Sequence, residues 1–115
     1  MKQMKVTRGQ VVWVELKGEG SVQSGRRPMV VISNNRANTF SPVILCTPLT
    51  TQSKKKLPTH VSVPSDCENW LKRDCTLMTE QLFTVDKESI LSTVGRVSEG
   101  IMSQINEALK VSLAL

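Results

Sequence analysis

Aromatic residues are scarce in this 115-residue chain, which has two tryptophans, two phenylalanines and no tyrosine. RNA-binding modules that stack several bases on an aromatic surface need more of them, so the composition argues against that class. Apolar residues still make up 39% of the chain and charged residues 22%, as in a folded globular protein. We therefore expect a core built from valine, isoleucine and leucine.

Cysteine is also sparse, and the three copies form no C-x-x-C pair. An odd count without such spacing favours reduced thiols in a cytoplasm over a disulfide framework. Cys67 and Cys75 lack zinc-ligand spacing with His60, the single histidine, so we expect neither a metal site nor a cofactor. No apolar run is long enough to span a bilayer, and no signal-peptide pattern is present. We expect one cytoplasmic domain covering residues 1–115, with no membrane association.

The positive charge is concentrated in the first half of the chain. Residues 1–60 carry ten Lys/Arg against two acidic residues, a balance of +8, whereas residues 61–115 carry five against eight, a balance of −3. Such asymmetry favours one face that binds a polyanion, and an uneven solvated surface is the equally open alternative. Nucleic acid and an acidic protein segment would both satisfy the same patch.

Several short segments rich in β-branched residues are typical of strands. One later segment differs, because apolar residues recur at helical spacing from Ile101 to Leu113, with Ser98 as a predicted N-cap. We expect a mainly β fold with some α structure, in which a small, strongly bent barrel is closed by this C-terminal amphipathic helix. One short helical turn is expected within residues 34–38, and a short helix near Trp70. The predicted strands are 10–16, 27–33, 43–49, 60–63, 75–78, 82–85 and 91–97.

Two of these strands carry polar groups suited to a phosphate. One strand begins at Arg27, before Pro28, and another leads into Thr50. If the two strands are neighbours, a fixed positive charge and a hydroxyl face one groove. In isolation an arginine before proline is usually a surface charge, and a threonine here usually closes a turn. Spacing alone leaves both interpretations open.

A series of short motifs, taken in chain order, spans nearly the whole sequence. The most informative is Pro48-Leu49-Thr50-Thr51-Gln52-Ser53-Lys54, and the combination is more specific than any single piece. With these motifs the sequence resembles the MazF/PemK family of toxin endoribonucleases from bacterial toxin–antitoxin pairs. The matching pieces are 8–14, 20–28, 30–34, 48–54, 57–61, 80–81, 107–109 and 113–115.

The resemblance implies a fold, an activity and partners. The fold is a small SH3-like barrel of the CcdB/MazF type with a C-terminal helix, assembled as a homodimer. The activity is sequence-specific cleavage of single-stranded RNA, such as mRNA, without a metal. Attack by the 2′-hydroxyl would leave a 2′,3′-cyclic phosphate and a 5′-hydroxyl. An acidic MazE-like antitoxin would neutralise the toxin.

The resemblance also implies site residues. Arg27 and Thr50 match the family's catalytic arginine and threonine, and other matching positions fall in the regions that line its RNA groove. Val22 stands where the family often has an acidic residue, so the recognised RNA sequence is expected to differ. The expected RNA-binding residues are Gln23, Arg26, Thr51, Gln52, Ser53, Lys54, His60, Glu80 and Gln81.

The sequence is also compatible with two other functions. A related toxin family with this fold poisons DNA gyrase without catalysis, and would need neither Arg27 nor Thr50. A plain RNA-binding module would keep the groove but not cut. His60 has the chemistry of a general acid or base, but on sequence alone it is better interpreted as a strand residue paired with a carbonyl.

Overall fold

The computed structural model of the chain describes residues 5–16, 25–52 and 56–115. Within them lie seven strands, two α-helices and a 3₁₀ turn at Lys87–Ser89. The helices are α1, Asn35–Phe40, and α2, Glu99–Leu113. The strands are β1 Gln10–Leu16, β2 Gly25–Val31, β3 Val43–Thr50, β4 His60–Val63, β5 Cys75–Met78, β6 Phe83–Asp86 and β7 Ile90–Arg96.

The strands form one antiparallel sheet in the order β4-β5-β3-β2-β1-β7, with β6 also paired to β3. The predicted mainly β class with a C-terminal helix is confirmed. The expected barrel is not closed by strand pairing, because β4 and β7 end the path without pairing to each other in the described part of the chain. The segment between β4 and β5 instead packs against β7, where the Arg96 amide donates to the Glu68 carbonyl at 2.9 Å. A Cβ at Gly95 would lie 2.2 Å from that carbonyl oxygen, so this contact requires glycine.

Strand alternation sends apolar side chains to both faces of the sheet. One set packs under α2, and we call it the helix-side core: Val11, Val30, Leu49, Val61, Val63, Cys75, Leu77, Val97, Ile105 and Ala108. The other set, the opposite core, fills the other face of the central strands: Val6, Val12, Val14, Met29, Val31, Ile44, Cys46, Val85 and Ile90. Valine, isoleucine and leucine supply most of both cores, as the composition predicts.

Helix α2 begins where the sequence predicts. The Ser98 hydroxyl accepts a hydrogen bond from the Ile101 amide, and Glu99 occupies the first turn, where the helix dipole favours a negative charge. Ile105 and Ala108 are buried in the helix-side core, while the Ser112 hydroxyl donates to the Thr79 carbonyl at 2.9 Å. Among the residues described, no helix is long and apolar enough to cross a membrane.

The two other helical predictions have different outcomes. The turn expected within residues 34–38 is the start of α1, which Asn34 caps by accepting from the Ala37 amide at 2.8 Å. The expected helix near Trp70 was wrong, because that segment forms turns. Its backbone is organised by Asp66, whose carboxylate accepts from the amides of Glu68 and Asn69.

Candidate nucleic-acid interface

Arg27 and Thr50 lie on neighbouring strands, near the end of the β2–β3 ladder. The paired residues are Val31 with Cys46, Val30 with Thr47, and Met29 with Pro48. The pairing ends there, two residues short of Arg27 on β2 and of Thr50 on β3, so the two residues lie at the same end of neighbouring strands. Each is also held from its other side, Arg27 by pairing with Val14 and Thr50 by pairing with Thr76.

Strand alternation decides which face the two side chains occupy. Leu49 belongs to the helix-side core, so Thr50 lies on the other face of the sheet. Arg27 is two residues from Met29, a member of the opposite core, and therefore shares the face of Thr50. Both residues are only partly buried. The two side chains therefore lie at the edge of the opposite core, next to solvent.

The end of β3 also orients the Thr50 hydroxyl. Its oxygen accepts a hydrogen bond from the Gln52 amide at 3.2 Å, as threonine does when it turns the chain beyond a strand. A hydroxyl that accepts there still has its own proton to donate. Thr50 can therefore donate to an anionic oxygen bound beside it.

Arg27 is not neutralised by an acidic side chain in the described ranges. The ion pairs found there are His60 with Glu80 and Lys110 with Glu107. A guanidinium stays protonated at neutral pH and can hold two oxygens of a phosphate at once. Arg27 therefore offers a positive charge to a ligand on this face.

The line from Arg27 to Thr50 continues over two more strands. Thr50 pairs with Thr76 on β5, and Thr76 pairs with Ser62 on β4. Directly opposed residues point to the same face of a sheet, so all four lie on one side. We call these four residues the polar row. Sequence reasoning missed Thr76 and Ser62, and alternation could have found their face but not their register with Thr50.

His60 and Glu80 form a second polar group, next to the β4 end of the polar row. His60 Nε2 lies 3.0 Å from one Glu80 oxygen, and the Thr59 hydroxyl donates to the other at 2.8 Å. A carboxylate only accepts hydrogen bonds, so Nε2 is the donor in this contact. The other ring nitrogen, Nδ1, is buried and has no hydrogen-bond partner among the described residues.

The environment of Glu80 favours its charged form. Partial burial acts to raise the pKa of the carboxyl, but hydrogen bonds from its own backbone amide, His60 and Thr59 lower it below its usual value. The His60 side chain is only 6% exposed. The polar atoms of the two side chains are therefore used mainly in the contact between them.

The remaining sequence-predicted residues lie in several places. Arg26 is exposed and pairs with Glu15 on β1, and alternation directs it away from the face of Arg27. Thr51 and Gln52 are exposed directly after Thr50, while Gln81 is half-buried in the turn after β5. Three residues lie outside the described part of the chain: Gln23, Ser53 and Lys54.

Cys46 and Cys75 lie in settings that disfavour nucleophilic chemistry. Burial raises the pKa of the Cys46 thiol to about 12, and burial together with the nearby Asp74 raises that of Cys75. Within residues 5–16, 25–52 and 56–115, no three His, Cys, Asp or Glu side chains come together as metal ligands would. The described chemistry is that of guanidinium, hydroxyl and carboxylate groups.

Two curated proteins are similar to this chain over nearly its whole length. An endoribonuclease EndoA of Bacillus subtilis is 38% identical over 115 residues, covering 97% of each chain. An endoribonuclease MazF of Staphylococcus saprophyticus is 34% identical over 110 residues, covering 94% of this chain and 91% of the relative.

A solved structure and a family model agree with these relatives. The structure is a mycobacterial endoribonuclease in complex with its cognate antitoxin, 26% identical, with a TM-score of 0.79 and 96% of both chains covered. The family model describes the PemK-like, MazF-like toxin of type II toxin–antitoxin systems and matches residues 7–113. By this match and by the two curated relatives, the chain belongs to the PemK-like, MazF-like toxin family.

Proposed function

We propose that this protein is a sequence-specific endoribonuclease toxin that cuts single-stranded RNA, including mRNA, without a metal ion. The observation that carries the proposal is that Arg27 and Thr50 lie at the same end of two neighbouring strands, on the same face of the sheet. Family membership adds support, because the two curated relatives, at 38% and 34% identity, are both named endoribonucleases.

RNA carries its own nucleophile, and the protein has to hold it in place. The 2′-oxygen attacks the adjacent phosphorus in line with the leaving 5′-oxygen, forming a P–O2′ bond and breaking the P–O5′ bond. The products are a 2′,3′-cyclic phosphate and a 5′-hydroxyl. Arg27 holds two non-bridging oxygens and stabilises the extra negative charge of the phosphorane. The Thr50 hydroxyl donates a hydrogen bond to the same phosphate and fixes its orientation.

Water carries the protons in this proposal. The 2′-hydroxyl loses its proton to solvent, and the 5′-oxygen takes one up. His60, the single imidazole of the chain, is committed to Glu80. It also lies two strands and two residues away from Thr50, on the order of 12 Å. We therefore place His60 and Glu80 in RNA binding beside the cut, together with Thr51, Gln52 and Gln81.

The partners follow from charge and family. We propose that the toxin works as a homodimer in the cytoplasm, where its RNA substrate is found. Its regulator is a MazE-like antitoxin whose acidic segment covers the face that carries Arg27 and excludes RNA. The related mycobacterial endoribonuclease was solved in complex with its cognate antitoxin, which supports this form of regulation.

The test is cleavage of a long RNA by purified protein in excess EDTA, with Arg27→Ala beside the wild type. We expect cuts at a defined sequence with cyclic-phosphate ends, and a rate at least about 100-fold lower in the variant. Arg36→Ala on α1 removes an exposed charge away from the polar row and should keep the wild-type rate. Intact RNA, or full activity of Arg27→Ala, would contradict the proposal. Salt-sensitive RNA binding without cutting would instead identify a binding module, and gyrase inhibition independent of Arg27 and Thr50 would identify a gyrase poison.

A further inference from the structure

The polar row has two members to which the proposed cleavage assigns no role. Thr76 and Ser62 follow Thr50 in direct register across β5 and β4. Their strand neighbours are all in the helix-side core: Cys75 and Leu77 on β5, and Val61 and Val63 on β4. The two hydroxyl residues therefore face away from that core, on the same side as Arg27 and Thr50.

We infer that Thr76 binds the backbone of the nucleotide next to the scissile linkage, with Ser62 extending the same contact. This inference rests on the proposed function and adds a binding residue to it. Neighbouring strands are about 4.8 Å apart, so Thr76 stands one strand beyond Thr50 and two beyond Arg27. An RNA strand that leaves the scissile phosphate across β5 meets Thr76 first.

The chemistry of threonine suits this position. Thr76 is partly exposed and Ser62 is exposed, so solvent and ligand can reach this part of the row. A hydroxyl donates to a phosphate oxygen and also accepts from a ribose 2′-hydroxyl, and neither contact depends on the base. Thr76 therefore contributes to holding the strand in register without selecting a sequence.

Other hydroxyl residues near the row are already used by the protein itself. The Thr79 hydroxyl donates to the Thr59 carbonyl at 2.6 Å, and the Thr59 hydroxyl donates to Glu80 at 2.8 Å. These bonds tie the start of β4 to the turn after β5. Because the Thr59 and Thr79 hydroxyls already donate within the protein, we assign the contact with the neighbouring nucleotide to Thr76.

The experiment compares Thr76→Val, which has nearly the same shape but no hydroxyl, with Thr76→Ser, which keeps the hydroxyl. Thr84→Val is the matched control, because Thr84 is an exposed strand threonine on β6, opposite Leu45 and far along β3 from Thr50. We expect Thr76→Val to lower kcat/KM about tenfold, mainly through KM, since a hydrogen bond to a charged group is lost. Thr76→Ser and Thr84→Val should remain within about threefold of the wild type.

A second measurement separates this inference from the proposed cleavage. An RNA carrying a 2′-deoxy sugar at the mapped cut site lacks the nucleophile, so its affinity reports binding alone, and the unmodified RNA serves the same purpose if the wild type does not cut. Weaker binding by Thr76→Val but not by Thr84→Val supports the contact even if the wild type proves unable to cut. Equal KM and equal affinity for these two variants would overturn the inference, and so would a wild type with no affinity for RNA.

Discussion

Arg27 and His60 stand in two polar regions of the same sheet that differ in what their side chains are bonded to. Arg27 has no ion-pair partner in the described ranges, and Thr50 keeps a free proton after accepting from the Gln52 amide. His60 and Glu80 are bonded to each other, and Thr59 holds the second carboxylate oxygen. In the first region polar atoms are available to a ligand, whereas in the second most polar atoms are hydrogen-bonded within the protein.

This difference separates two demands on an RNA-cutting site. A group that stabilises transition-state charge must be held by the backbone while its polar atoms stay available. In the cleavage that we propose, sheet pairing with Val14 and Thr76 does this for Arg27 and Thr50. A group that shapes the surface beside the cut gains from bonds within the protein, because they fix its orientation. The comparison predicts activity effects in the first region and stability effects in the second.

The largest expected effect is on activity, from Arg27→Lys. Lysine keeps the positive charge but cannot hold two oxygens in one plane, so we expect single-turnover cleavage to slow about 100-fold. The free energy of unfolding, measured in urea, should change by less than about 0.5 kcal/mol. A cleavage rate within threefold of the wild type would mean that charge alone matters at this position.

The next effect is on stability, from His60→Ala. The side chain is 6% exposed and bonded to Glu80, so its removal should cost about 1–3 kcal/mol in the free energy of unfolding. Ser62→Ala, at an exposed position of the same strand, is the control and should cost much less. Equal urea midpoints for the two variants would show that His60 is not a structural residue and would remove the contrast with Arg27.

A smaller effect is the pH dependence that Glu80 adds to stability. Its pKa is lowered in the folded state, so the carboxylate adds stability above its usual value of 4.5, and this is lost as the pH falls through the lowered pKa. Glu80→Gln should therefore unfold at a lower urea concentration than the wild type at pH 7. The gap should narrow as the pH falls below 4.5 and through the lowered pKa, and a gap that stays constant with pH would contradict this assignment.

The smallest effect concerns salt. Lys56 is exposed. It follows β3 in the sequence, directly after the undescribed residues 53–55. If Lys56 contacts a phosphate, Lys56→Gln should weaken RNA binding slightly and lower the slope of log affinity against log salt by about 0.7. Lys110, paired with Glu107 on α2, supplies the control. Equal slopes for Lys56→Gln and Lys110→Gln would assign Lys56 to the solvated surface.

Much of the fold could be predicted because it depends on local patterns. Short strand-like segments located β1 and β5, and alternation of apolar and polar residues located β4, all at their observed bounds; apolar spacing with Ser98 located α2. The bounds of β2 differ by two residues, because the ladder with β1 reaches back to Gly25, where β-branched residues give no signal. The helix expected near Trp70 failed for another reason: Asp66 and Asn69 use their side chains to hold turns there.

The candidate site was harder to predict, because its residues come from four strands. The sequence named Arg27 and Thr50 through a family resemblance, and their catalytic roles stay a prediction. It named Arg26 beside Arg27 as a second RNA contact, whereas alternation places that side chain on the other face, opposite Glu15. Thr76 carried no motif and was not named.

The sequence by itself determined the strand and helix segments, the aliphatic composition of the two cores, and the concentration of positive charge in the first half of the chain. These properties depend on each residue and its near neighbours in the chain. Only the tertiary structure decided that Thr50, Thr76 and Ser62 form one line, with Arg27 at the same end of the neighbouring strand. A shift of one residue in any strand pairing would move a member of that line to the other face, and the pairing is set by how both cores pack.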